Sequence, residues 1–165
     1  MNKKLYLLAE LDNASQLEIK EIDKIIIENG LIGKQTKDIP YHITLCSFKI
    51  EMESFLKDLL EDLSKKFKKI NINFRSLGLF GLNVLFMNPN MNIELIEMYN
   101  YLKENSFEKN NDLSAHTTLF IDEPENIIKI LPKIVEKYKG LNGEIKYISL
   151  YEFFPVRFIK RVELL

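Results

Sequence analysis

The chain has 165 residues with 46% hydrophobic and 28% charged side chains, enough apolar material for one domain with a real core. Twenty-three Lys and Arg stand against 24 Asp and Glu for a net charge of −1, which argues against a surface built to grip duplex DNA and leaves room for a small anionic ligand or an RNA end in a pocket. One cysteine, Cys46, excludes an internal disulfide framework and a thiolate-rich zinc site.

In chain order, residues 5–11 form a short apolar run that reads as a buried strand, ended by the acids Glu10 and Asp12 too early for a signal peptide. Ser15 is placed to cap a helix carrying Leu17, Ile22, Ile25 and Ile26, with Gly30 as its stop. A loop over 30–41 leads to a strand over 42–48, and the stripe Met52, Phe55, Leu56, Leu59, Leu60, Leu63 and Phe67 reads as an amphipathic helix. Strands are expected over 70–80 and 84–87. The order then recurs: a helix over 91–105 with Asn90 as cap, a polar loop, a strand over 115–121, and a helix opened by Pro124 that Pro132 should kink or split. Two final strands follow, over 145–154 and 156–164. No stretch is long and apolar enough for a membrane-spanning helix, and the expected location is the cytoplasm.

The recurrence extends to residue identity. Residues 72–80 match 145–153 at an offset of 73, with Ile, Ser, Leu and Phe identical, and the only two histidines, His42 and His116, are 74 apart. The spacing predicts pseudo-repeats over 13–88 and 89–163, with 4–11 as an additional strand, in a single bilobal α+β domain spanning 1–165. Both histidines open the same tetrapeptide, His42-Ile43-Thr44-Leu45 and His116-Thr117-Thr118-Leu119. On a strand, residues i and i+2 share a face, so His42 pairs with Thr44 and His116 with Thr118, while Ile43, Leu45, Leu119 and Ile121 turn the other way. The same alternation extends the first face to Cys46 and Phe48, and the second to Phe120.

Two imidazoles and two hydroxyls facing each other across a cleft suit attack at phosphorus. One histidine accepts a proton from water, the other protonates the leaving oxygen, and the hydroxyls stabilise charge on the phosphate oxygens. Two histidines with no third ligand in a recognisable spacing do not make a zinc site, and Cys46 reads as a small buried hydrophobe rather than a nucleophile.

These paired His-x-Thr-Leu motifs, their spacing and the duplicated halves resemble the two-histidine (2H) phosphoesterase superfamily, with its LigT-like, 2′-5′ RNA ligase-like and RNA 2′,3′-cyclic phosphodiesterase members. The resemblance implies a bilobal α+β fold with two antiparallel sheets around a central cleft and helices outside. It implies cofactor-free, metal-independent hydrolysis of a 2′,3′-cyclic phosphate, on a nucleotide or an RNA end, to a 2′-phosphomonoester. It makes His42 the proton donor to the 3′ oxygen, His116 the base, and Thr44 and Thr118 the phosphate holders. A phosphodiesterase for another small nucleotide, such as a 2′-5′ oligonucleotide or a cyclic ADP-ribose derivative, and a non-catalytic nucleotide- or RNA-binding module remain open alternatives. Phe48, Phe120, Tyr151 and Phe154 are candidates for base stacking, though more often core residues. Tyr41, Lys34 and Lys37 border the expected cleft, Arg157 and Lys160 are weaker phosphate candidates, and Lys65, Lys66, Lys68 and Lys69 read as a solvated face.

Overall fold

The computed structural model describes residues 3–105 and 112–165. After strand β1 (Lys4–Leu11), the chain runs α1 (Asn13–Glu28), β2 (His42–Phe48), a short 3-10 turn (Ile50–Met52), α2 (Glu53–Lys66), β3 (Ile70–Phe80) and β4 (Val84–Pro89). It continues through α3 (Ile93–Asn105), β5 (Thr117–Ile121), α4 (Pro124–Lys137), β6 (Leu141–Phe153) and β7 (Arg157–Glu163). The succession helix, strand, helix, strand, strand thus occurs twice after β1. Part of the polar loop expected after α3 falls at 106–111, outside the described residues.

Among the described residues all pairings are antiparallel and join seven strands in the order β2-β1-β6-β3-β4-β5, with β7 also on β6. The two sheets expected from the sequence are therefore two halves of one hydrogen-bonded sheet. The reason is the length of β6: its first residues, from Leu141 to Ile145, pair with β3, and its later ones, to Phe153, run between β1 and β7. One half reads β2-β1-β6-β7 and the other β5-β4-β3-β6. The sheet curls so far that its end strands, β2 and β5, come into contact.

Local chemistry explains several differences from the sequence reading. Asp12, not Ser15, caps α1: its carboxylate accepts from the Ala14 amide at 3.2 Å and from the Ser15 hydroxyl. The same carboxylate accepts the Glu144 amide at 3.2 Å, while the Asp12 amide donates to the Glu144 carbonyl at 2.8 Å, tying the helix start to β6. Gly143 is required there, because a Cβ would come within 2.4 Å of Ser15 Oγ. Asn92 rather than Asn90 caps α3, accepting from the Leu95 amide at 2.9 Å. Pro132 lies inside α4 without splitting it. Strand β5 begins at Thr117, so His116 stands just before it rather than as the second residue of a strand from 115.

The core follows the strand alternation: Ile43, Ala9, Ile148 and Val162, which lie in register across one half, are all buried. Apolar residues of α1, α2, α3 and α4, among them Ile19, Leu60, Met98 and Ile130, complete one cluster. Burying each such side chain contributes roughly 1.5–3 kcal/mol. This leaves the opposite face of each half free to build the cleft.

Candidate active site

His42 is the first residue of β2, and the approach to it is held by one side chain of α1. Gln16 donates from Nε2 to the Tyr41 carbonyl at 2.8 Å and accepts the Tyr41 amide on Oε1 at 2.7 Å, fixing the backbone just before the histidine. The Tyr41 hydroxyl donates to Asp23 of the same helix; burial and that carboxylate keep the phenol protonated far above its usual range.

The two histidines are tied alike. Nδ1 of His42 lies 2.7 Å from the Pro40 carbonyl, and Nδ1 of His116 lies 2.6 Å from the Ser114 carbonyl. A carbonyl only accepts, so each Nδ1 carries the proton and each Nε2 is left for chemistry. The strands are also interrupted alike. Along β2, Leu7 pairs with Cys46 and Leu8 with Thr44, skipping Leu45; along β5, Leu85 pairs with Phe120 and Phe86 with Thr118, skipping Leu119. The leucine of each His-x-Thr-Leu motif is thus the extra residue of a β-bulge, a device that re-aims side chains next to a site.

This bulge corrects part of the alternation. His42, Thr44, His116 and Thr118 are half-buried, but Leu45 and Cys46 are both buried, and Phe48 and Phe120 belong to the core. Burial pushes the Cys46 thiol up to about 11, so it stays protonated at neutral pH.

The surroundings of the two rings differ. Burial lowers the pKa of His42; the Pro40 carbonyl opposes this, and His116 is close enough to add repulsion in the same direction as burial. His116 instead packs edge-on against Phe80 at 4.8 Å and Phe86 at 5.3 Å between ring centroids. Phe86 owes its place to Gly78 directly opposite on β3, where a Cβ would come within 2.4 Å of the ring.

A cavity of about 700 Å³ opens beside His42. His42 and Thr118 line it, so one residue from each motif meets there, with α1, the loop from Ile32 to Tyr41, and Glu10, Tyr147, Phe153 and Arg161 from the sheet. Thr44 and His116 are not part of that wall. Tyr41 and Lys37 border the cavity as expected, whereas Lys34 is paired with Glu123. Arg157 is taken by Glu53 and Glu152, and Lys160 by Glu61. Tyr151 is buried and Phe154 is exposed. Lys65, Lys66 and Lys68 are solvent-facing, and Lys69 pairs with Glu163.

Glu10, Arg161, Tyr147, Phe153, Phe80 and Phe86 were not singled out by the sequence. Glu10 had a signal, an acid inside an otherwise apolar strand. Phe80 and Phe153 had another, as identical partners at the offset of 73. Among the described residues, no group of three His, Cys, Asp or Glu side chains converges as a metal site needs, and no helix is long and apolar enough to cross a membrane.

No family model and no curated protein matches the chain. Solved structures do. Escherichia coli LigT complexed with NADP+ superposes with a TM-score of 0.64 at 17% identity over 99% of both chains. A phosphoesterase crystal structure gives 0.61 at 16% identity over 98% of both. E. coli LigT complexed with 3′-AMP gives 0.60 at 14% identity, over 98% of this chain and 97% of that one. The fold is that of LigT, from end to end.

Proposed function

We propose that the chain is a two-histidine phosphoesterase that hydrolyses a 2′,3′-cyclic phosphate, on a nucleotide or an RNA end, to a 2′-phosphomonoester without a metal. The observation that carries this reading is the doubling of the whole device. Each half supplies a histidine with Nδ1 on the i−2 carbonyl, a threonine two residues on, and a bulge at the following leucine, on strands that meet across the curled sheet. A protein that only binds needs no matched pair of proton-transfer groups. The fold agrees, and the nucleotides bound to E. coli LigT, NADP+ and 3′-AMP, support a nucleotide as ligand.

In the reaction, His116 Nε2 takes a proton from water as the water oxygen bonds to phosphorus. The bond from phosphorus to O3′ breaks, and His42 Nε2 delivers a proton to O3′. The product keeps its phosphate on O2′, and the two histidines end with exchanged protonation states. Thr44 and Thr118 donate to the non-bridging oxygens as charge builds there. This role order, taken from the family resemblance, makes a demand on His42. Burial favours its neutral form, so it must be charged by the bound substrate, whose phosphate anion stabilises an imidazolium beside it.

The test is hydrolysis of 2′,3′-cyclic AMP in EDTA by the wild type, His42→Ala and His116→Ala. Each variant should lose about 10²–10⁴-fold in kcat, the usual worth of a general acid or base, with melting temperature little changed. Full turnover by either variant sinks the two-histidine mechanism, and loss of wild-type turnover in EDTA sinks its metal independence.

A further inference from the structure

The strand pairing sets Glu10 directly across from His42, and Thr44, Leu8, Ser149 and Arg161 in a row across the same half-sheet. Residues in register share a face, so Glu10 and Arg161 stand on the cleft side with the histidine and the threonine. Glu10 is 1% exposed, and a carboxylate so deep needs partners. It has two: the Ser149 hydroxyl donates to Oε1, and Arg161 Nη2 lies 3.2 Å from Oε1 and 2.9 Å from Oε2.

Arg161 does more than neutralise that acid. A guanidinium carries five N–H donors, and Glu10 engages only Nη2. The side chain remains 38% exposed and lines the cavity that His42 and Thr118 also line. It lies over the rings of Tyr147 at 5.4 Å and Phe158 at 5.9 Å, so its head group is braced. Of the other arginines, Arg157 is taken by two glutamates and Arg75 does not reach the cavity wall. Besides Glu10 and the Tyr151 hydroxyl, which also bonds Arg161, the acids of the wall do not engage the arginine: Asp23 accepts from Tyr41, and Asp38 lies on the loop that also carries Lys37. Glu10 is one strand spacing, about 5 Å, from the His42 backbone. Arg161 itself is rooted on β7, beyond β1 and β6 from His42, and its head lies over Tyr147 of β6, so the guanidinium is displaced from the histidine toward the interior of the sheet.

We propose that Arg161, braced by Glu10 and Tyr147, is a second anion site of the cleft, binding a phosphate of the substrate other than the one between the histidines. This rests on the phosphoesterase reading and narrows it: the favoured substrate is a nucleotide with two phosphate groups, the ester under attack and another on the 5′ side. That second phosphate is either a terminal 5′-phosphate or the linkage to a preceding nucleotide.

Calorimetry on the full chain tests this with ligands that are not turned over. The wild type should bind adenosine 2′,5′-bisphosphate about tenfold tighter than adenosine 2′-monophosphate, about 1.4 kcal/mol. Arg161→Gln should erase that ratio while leaving the monophosphate affinity within about twofold, and Arg161→Lys should keep part of it. Glu10→Gln, which retains an acceptor for the arginine but removes the opposing charge, should widen the ratio. A dinucleotide ending in a 2′-phosphate separates the two sources: tighter binding than the bisphosphate assigns the site to an RNA linkage, and weaker binding to a terminal 5′-phosphate. No preference in the wild type, equal weakening of both ligands by Arg161→Gln, or a ratio narrowed by Glu10→Gln would overturn the proposal. Loss of cyclic-ester hydrolysis with the bisphosphate preference intact would instead break the catalytic reading and leave the anion site standing.

Discussion

Strand β2 and the entry to β5 carry the same device of tied histidine, threonine and leucine bulge, yet the neighbours across each half-sheet have diverged. Beside Thr44 the row continues through Leu8 and Ser149 to Arg161, with the buried Glu10 close by. Beside Thr118 it continues through Phe86 to Gly78, and His116 rests on Phe86 and Phe80. One histidine thus adjoins a polar, ion-paired floor and a cavity, and the other an aromatic wall. The chemistry-bearing atoms obey the duplication and the surroundings break it. That division makes two identical side chains inequivalent, the condition the proposed split into acid and base requires.

The comparison can be broken first at the threonines, which are the shared part. Thr44→Val and Thr118→Val should each lower kcat on 2′,3′-cyclic AMP about 10²-fold, as removal of one donor to a charged transition state does. A loss confined to one of them would show that the hydroxyls, unlike the histidine ties, are not equivalent.

A smaller effect belongs to the aromatic side alone. Gly78→Ala places a methyl where the Phe86 ring lies and should shift that ring against His116. A loss in kcat of about tenfold is expected, in line with catalytic geometry displaced by a fraction of an ångström. The His42 ring signals should not move. Adding Phe86→Leu should recover part of the rate, and no recovery in the double variant would show that Gly78 acts on stability rather than through the ring.

The smallest effect is a titration. Burial places His42 below the ordinary histidine value of about 6.5, so in the free protein its ring should titrate below that of an exposed histidine by NMR. Saturation with adenosine 2′-monophosphate should move the midpoint up. The sign for stability follows from linkage: the unfolded chain takes up this proton first, so the contribution of His42 is present above about pH 6.5 and is lost as pH falls through the lowered folded value. His42→Gln should flatten the melting temperature over that window, and an unchanged slope would remove His42 from the account.

Much of this was legible in the sequence because it depends on local periodicity. The element order and the doubled His-x-Thr-Leu motif, one at the start of β2 and one at the entry to β5, follow from spacings of two, of 3.6, and of about 74 residues. What escaped was set by register between distant strands. That Arg161 reaches Glu10 depends on β1 and β7 both pairing with β6, which no local pattern encodes. The bulges at Leu45 and Leu119 escaped because a skipped residue leaves the hydrophobic pattern of a short strand unchanged until the partner is known. The caps escaped by competition among neighbours: Asp12 and Ser15 were both competent, and Asp12 prevailed because it also bonds Glu144.

The curl of the sheet has a consequence apart from the site. β2 and β5 end the path of paired strands, where bare N–H and C=O groups would otherwise template pairing with a second chain. Here each lies against the other, with α3 also on β2 and α1 also on β5. The closure that brings β2 and β5 against each other therefore also covers two of the sheet's edges, leaving β7, which pairs only with β6, as the remaining one.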